Sequence, residues 1–531
     1  MKATRRTVLT TALGIAVAGR LPIGLARAAA EPKRAGTLVV VSAETPRHFN
    51  TAVQSGTPTG IPGAQIFASP LRFDADWKPQ PYLAESWDWS EDGLALTLHM
   101  RKDARFHDGH PITSADVKFS IEANKANHPF KTKFAAVDTI ETPDEHTAVI
   151  KLAKHHPALL LSLSPVLAPI IPKHIYDDGQ DLKTHPRNAD PVGSGPFKLK
   201  EFKPGEHILL ERYEDYVLSD GPFLDQILIK IVPNNSSHSI GLESGEYHLA
   251  TATSLTIRDW KRLGEQPHLT ATKNGYEAVG ALNWLAFNTA KAPFDNKKVR
   301  QAISFATDRN FIVNVLQQGG TMRATGPIAP GSPFYSDEVE HYDVDLGRAQ
   351  ALLEEAGYPM KDGKRLKVTV DFYPGYDEQQ KLVAEYLRPQ LKKIGVEVEV
   401  RTSADFGAWA DRISNWDFEM TMDNVYNWGD PIIGVHRTYE CSNRIKGVIW
   451  SNTQQYCNAR VDELMTAAAT EMDLDKRKAL YKEFQQIVVD DVPIAFINAD
   501  PLRTVYRDIV GNPPLTIWGA MSPMDDTFLK A

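Results

Sequence analysis

Asp417-Phe418-Glu419-Met420-Thr421-Met422-Asp423-Asn424-Val425-Tyr426-Asn427-Trp428-Gly429-Asp430-Pro431 opens in alternation and closes in a polar loop. Phe418, Met420 and Met422 are apolar, while Glu419, Thr421 and Asp423 are polar. That period of two predicts a half-buried strand. Gly429 and Pro431 end it. Around them, Asn424, Tyr426, Asn427, Trp428 and Asp430 supply amides, aromatic faces and a carboxylate. A strand end opening into such a loop suits a polar organic ligand. Asp423, Asn424, Tyr426, Asn427, Trp428 and Asp430 are therefore candidate ligand contacts.

Working back from this stretch, strand and helix patterns alternate. Leu366, Val368, Val370 and Phe372 recur at period two. Leu387, Leu391 and Ile394 mark a helix ending at Gly395. Val396, Val398 and Val400 alternate with Glu397 and Glu399 as the next strand, and a helix around 406–413 leads into the opening stretch. Earlier, Val299, Ala302, Ile303 and Ala306 share a helical face, and Leu346 to Ala356 form a helix closed by Gly357. Strand, helix, strand, helix, strand is an α/β unit, whose ligands sit beyond the carboxyl ends of the strands. After the opening stretch, Leu480, Phe484, Ile487 and Val488 mark a late helix, and Val492–Ala499 reads as a strand returning toward the start of the fold.

The chain begins with an export signal over residues 1–30. Lys2, Arg5 and Arg6 precede an apolar run from Val8 to Gly19, and Ala26-Arg27-Ala28 is a small-x-small cleavage site. The run is shorter than the ~20 residues a membrane span needs. Thr4-Arg5-Arg6-Thr7-Val8-Leu9 resembles the twin-arginine type, with Thr4 and Val8 departing from it. The expected location is the periplasm. In that compartment the two cysteines, Cys441 and Cys457, are most simply a disulfide, with two buried thiols as the alternative. The 531 residues exceed the ~250–300 that one core supports, so several domains are expected. A net charge of −8 argues against a nucleic-acid partner.

Several groups look catalytic or metal-binding and read more simply otherwise. Gly193-Ser194-Gly195 lacks Gly-x-Ser-x-Gly spacing and is expected to be a tight turn. His107 and His110 flank Asp108 on a turn but lack a third ligand, so no metal is expected. No phosphate loop or dinucleotide fingerprint is present, and no cofactor is expected. Asp423 and Asp430 could form an acid–base pair, but no nucleophile accompanies them, so binding is favoured over a secreted hydrolase. Trp284 is equally suited to core and cleft.

Four segments carry a family resemblance. Glu85-Ser86-Trp87, Ser90-Glu91-Asp92-Gly93, Arg101, Phe106-His107-Asp108-Gly109 and Asp116-Val117 form the first. Pro191-Val192-Gly193-Ser194-Gly195-Pro196-Phe197 is the second, with Lys203-Pro204-Gly205 and Glu211-Arg212 as the third. Leu285-Ala286-Phe287-Asn288-Thr289, Pro293-Phe294-Asp295, Val299-Arg300-Gln301-Ala302 and Asp308-Arg309 are the fourth. In this order they resemble the periplasmic solute-binding proteins of the peptide, opine and nickel class (family 5), which serve ABC importers.

The resemblance implies an α/β fold of the type II periplasmic-binding-protein class, with two lobes closing on a cleft. It implies a discontinuous domain I (31–62, 186–278, 495–531), an inserted domain II (63–185) and a domain III (279–494). It also implies a monomer that is no enzyme, and a membrane permease partner. The disulfide bracketing Ser442–Tyr456 resembles that of dipeptide-binding relatives. In peptide-binding members an aspartate before Gly-Asp-Pro receives the peptide's amino group, and Asn427 stands at that place here. Peptide remains the first expectation, with an oligosaccharide, an opine or another non-peptide solute as the alternative. Ser42 and Glu44, after the first strand, are candidate contacts from the facing domain. Replacing Asn427 and Trp428 by Ala is expected to weaken binding and leave the empty protein's stability nearly unchanged.

Overall fold

The computed structural model describes residues 33–252, 255–374 and 377–530. The expected export signal lies outside them. Among the described residues, no helix is long and apolar enough to cross a membrane.

Three sheets organise the chain. The first runs, edge to edge, Leu269–Thr272, Thr504–Arg507, Leu249–Ala250, Thr37–Ser42, Gln226–Ile231, His207–Arg212 and Phe197–Lys203. Thr37–Ser42 lies parallel to both of its neighbours. The second is antiparallel and formed by Ala84–Trp89, Ala95–Met100, Thr147–Leu152 and Val137–Asp144. The third runs Met322–Arg323, Ile494–Ala499, Ala281–Phe287, Met420–Tyr426, Leu366–Phe372 and Val396–Arg401. It mixes antiparallel pairs with the parallel pairs that Leu366–Phe372 makes on both sides.

One apolar core joins the first two sheets through residues such as Leu38, Val40, Leu98, Phe106, Ile150 and Ile227. Another fills the third sheet and its helices, with Phe287, Ile303, Leu353, Val370, Leu387 and Phe484. The sheets with separate cores exchange chain twice, at residues 273–280 and 500–503. The second exchange corrects one expected boundary. Ile494–Ala499 pairs with Ala281–Phe287 in the third sheet, so the chain leaves that sheet after Ala499 rather than at 494.

The opening stretch forms the strand Met420–Tyr426, which continues through Asn424 where a loop was expected. It lies between Ala281–Phe287 and Leu366–Phe372, and on both faces it is buried except at the half-buried Asn424 and Tyr426. Thr421 and Asp423 are buried, not solvent-facing. A strand inside a mixed sheet with helices on both faces has no wet side, which is why its polar alternation did not mean half-burial.

Local rules hold well elsewhere. The expected helix after Thr113 spans Ser114–Asn127, and Thr113 N and Oγ1 donate to Asp116 Oδ2 at 2.9 and 2.8 Å. Gly193 and Gly195 serve a close approach rather than a turn. A Cβ on either would meet the Ile66 or Gln65 carbonyl at 1.9 or 2.3 Å. Ser194 N and Gly195 N donate to that Ile66 oxygen, and Ser194 Oγ accepts from Ala68 N at 3.2 Å. The serine is thus used in packing.

Candidate functional site

The site forms where Met420–Tyr426 leaves the third sheet. In the pairing with Ala281–Phe287, Trp284 stands opposite Asp423 and Asn283 opposite Asn424. Beyond the strand the backbone stays attached. Asn427 N donates to Gly280 O at 3.2 Å, and Trp428 N to Val279 O at 3.3 Å. Trp428 has a φ of 52°, which turns the chain sharply.

Asp423 is the ionisable centre. Its Oδ1 accepts from Asn424 N at 2.7 Å and from Trp450 Nε1 at 3.3 Å. Burial raises its pKa to about 7, against those two hydrogen bonds and the charge of Arg437. Arg437, on the short helix His436–Tyr439, has its guanidinium 5.2 Å from the Phe130 ring centre. Its Nε donates to Gly434 O at 3.4 Å. Burial lowers its pKa to about 10, and the charge of Asp423 opposes that. Among the described residues, no carboxylate ion-pairs with Arg437. At neutral pH the pair therefore carries a full positive charge and a fractional negative one.

Aromatic faces stand beside this pair. Trp450 stacks on Phe406 at 5.6 Å, and Tyr373 meets both edge-on at 5.2 and 6.5 Å. A row of amides crosses the adjacent strands, Asn498 opposite Asn283 and Asn283 opposite Asn424. Asn283 Oδ1 accepts from Gln380 Nε2 at 3.3 Å. Both side-chain polar atoms of Asn498, and Oδ1 of Asn424, are buried without a protein partner. Such atoms call for water or a polar ligand.

Three expected contacts turn out to be committed to the protein itself. Asn427 Oδ1 accepts from Ala329 N at 2.7 Å, and its Nδ2 donates to Pro327 O at 3.4 Å. The amide latches residues 327–329 onto the strand end and is not presented to an amine. Asp430 caps the helix Pro431–Gly434 through Ile432 N and takes two 2.7 Å bonds from Arg477. Burial works against its charge, but Arg477 and that N–H outweigh it and lower the pKa. Trp428 is 3% exposed and stacks on Trp518 at 6.3 Å and near Phe130 at 5.4 Å. It belongs to the first core although its strand belongs to the third sheet, so it fills the joint between the lobes.

Trp284 packs edge-on against Phe496 at 6.3 Å, in the core. Tyr426 meets Trp428 edge-on at 5.9 Å. Ser42 Oγ accepts from Glu44 N at 3.4 Å and closes a local turn. Glu44 is exposed, yet the protein around it raises its pKa. Arg437, Trp450, Tyr373 and Phe406 were not singled out from sequence. Only Trp450 carried a signal, being an aromatic inside the 441–457 bracket. The Cys441–Cys457 disulfide is formed.

Residues 78–445, more than half the chain, match the bacterial extracellular solute-binding proteins, family 5, middle. Heme-binding protein A of Haemophilus influenzae is 30% identical over 491 residues, covering 86% of each chain. The dipeptide-binding protein of Escherichia coli is 26% identical, covering 93% of this chain and 96% of its own. The oligopeptide-binding protein AppA from Bacillus subtilis, solved with a nonapeptide, superposes with a TM-score of 0.79 at 24% identity, over 94% of this chain and all of that one. The chain belongs to the family 5 bacterial extracellular solute-binding proteins, the substrate-binding components of ABC importers.

Proposed function

We propose that this protein captures a short peptide with a free carboxylate between its lobes and delivers it, chemically unchanged, to a permease in the inner membrane. The observation carrying this reading is Arg437, a largely buried guanidinium without an ion-paired carboxylate among the described residues, coupled by charge to an Asp423 that is only partly ionised at neutral pH. A site with surplus positive charge favours a ligand carboxylate. Asp423, Asn424, Tyr426, Arg437 and Trp450 make the proposed wall, with Ser42 and Glu44 facing from the first sheet. The names of the dipeptide- and oligopeptide-binding relatives support peptide over a neutral sugar.

The uncharged Asn427, turned into the protein, favours a second reading in which the ligand lacks a free amine, as an opine or capped peptide does. On either reading the protein is a periplasmic monomer and not an enzyme. Native mass spectrometry of protein taken from its own compartment, followed by denaturing release, tests the proposal. A ladder of intact short peptides is the expected result. A single opine or sugar mass overturns the peptide reading. Ligand fragments produced on incubation overturn the binding role.

A further inference from the structure

A second cluster of chemistry lies away from the cleft, on the face of the four-stranded-sheet unit. Asp108 stands between two imidazoles. Its Oδ2 lies 2.8 Å from His174 Nε2 and its Oδ1 3.2 Å from His110 Nδ1. The donor atoms of all three residues fall within 4.8 Å of one another. The two rings stack at 4.0 Å. Two turns of chain hold them in place. Asp108 and His110 share a tight turn in which His110 N donates to Asp108 Oδ1 at 3.1 Å and Phe106 N to His110 O at 2.8 Å. His174 sits on the helix Lys173–Tyr176, whose first N–H donates to Asp116 at 3.0 Å, and the buried Phe106 ring meets its edge at 5.8 Å. Neighbouring His107 is not a member. Its Nδ1 accepts from Gly193 N at 3.2 Å and its Nε2 lies 3.0 Å from Gly195 O.

We propose that Asp108, His110 and His174 form a surface site for a borderline divalent cation, zinc in the first instance. The donor set is two imidazole nitrogens and one carboxylate oxygen, which suits zinc, with nickel and copper(II) as competitors. Tetrahedral zinc with bonds of about 2.1 Å needs donors about 3.4 Å apart, near the 2.8 and 3.2 Å that separate the Asp108 oxygens from the two imidazole nitrogens. His110 is 60% exposed at its side chain, so the fourth position opens to water. Two stacked imidazoles thus flank one carboxylate, one on each of its oxygens. The ion would tie the 106–111 turn to the 173–176 helix.

Mature, tag-free protein stripped of metal by chelation is titrated with zinc chloride by calorimetry and with cobalt(II) by visible absorption. One equivalent of zinc and a cobalt ligand-field band are expected. His110→Ala and His174→Ala should each weaken zinc binding at least about tenfold, since loss of an outer-shell partner alone costs that much. His155→Ala, on a half-buried histidine elsewhere, should not. Zinc should raise the melting temperature of the parent more than that of either variant. Absence of saturable zinc binding overturns the proposal, and so does one equivalent whose affinity ignores both substitutions.

Discussion

At the scale of single residues, the proposed chemistry of the cleft rests on Arg437 and Asp423. A hydrogen bond to a charged group contributes about 1.5–3 kcal/mol. Arg437→Gln should therefore weaken a free-carboxylate peptide at least about tenfold, while an amidated copy of the same peptide should respond little. Calorimetry with the two peptides checks this. Equal losses would mean that Arg437 only shapes the site. Asp423 makes a separate prediction about stability. Its folded pKa of about 7 lies above its ordinary value of 3.8. Between those values the unfolded state is ionised and the folded state keeps its proton, so stability falls as pH rises and levels off above pH 7. Asp423→Asn removes that dependence. Its melting temperature should gain on the parent from pH 4 to pH 7 and then hold a constant lead. A lead that is the same at every pH would show that Asp423 titrates normally.

At the scale of elements, the loop after Met420–Tyr426 is held from outside itself. Asp430 reaches Arg477 on the helix Leu474–Asp491, and Arg477 also donates to Ala468 O at 2.9 Å and lies 4.6 Å over Phe334. Removing one partner of a buried pair costs about 3–5 kcal/mol. Asp430→Ala should destabilise the ligand-free protein by that amount in denaturant titration. A change below about 1 kcal/mol, the range of surface pairs, would show the pair to be solvated. The Cys441–Cys457 bracket works on a neighbouring element. Closing a loop of about 15 residues contributes roughly 3 kcal/mol in the chain-entropy view. The same loop carries Trp450 against Asp423. The double Cys→Ser variant should thus lose both stability and affinity. Lost stability with full affinity would detach Trp450 from binding.

At the scale of the whole molecule, Trp428 is the point where a third-sheet residue enters the core of the first two sheets. Trp518 and Phe130 receive it, and a Cβ on Gly429 would meet Leu161 at 2.6 Å. Stacked aromatics of this kind contribute about 0.5–1.5 kcal/mol beyond their buried area. Trp428→Ala should shift the ligand-free population toward the open form, and small-angle scattering should show a larger radius of gyration than the parent's. An unchanged radius would mean that other contacts hold the lobes. This packing also revises what sequence suggested for Asn427 and Trp428. Both are buried, so replacing them by Ala is expected to cost stability as well as affinity.

Periodicity, capping and glycine placement made many of the elements legible, because each is decided by neighbours a few residues away. The alternation of Leu366–Phe372 and Val396–Arg401, the Thr113 cap and the stop at Gly357 all depend on local backbone geometry. Four motif segments in order were enough for the family. The partner of each polar side chain was not legible. Asn427 is answered by Ala329, 98 residues away, Asp430 by Arg477, 47 away, and Asp108 by His174, 66 away. A buried polar group must find a partner, and the fold supplies it from whichever segment arrives. Sequence by itself determined the α/β pattern and the family. Only the tertiary structure decided which polar residues are spent on holding the protein together, as Asn427 and Asp430 are, and which, Asp423 with Arg437, are left for the proposed ligand site.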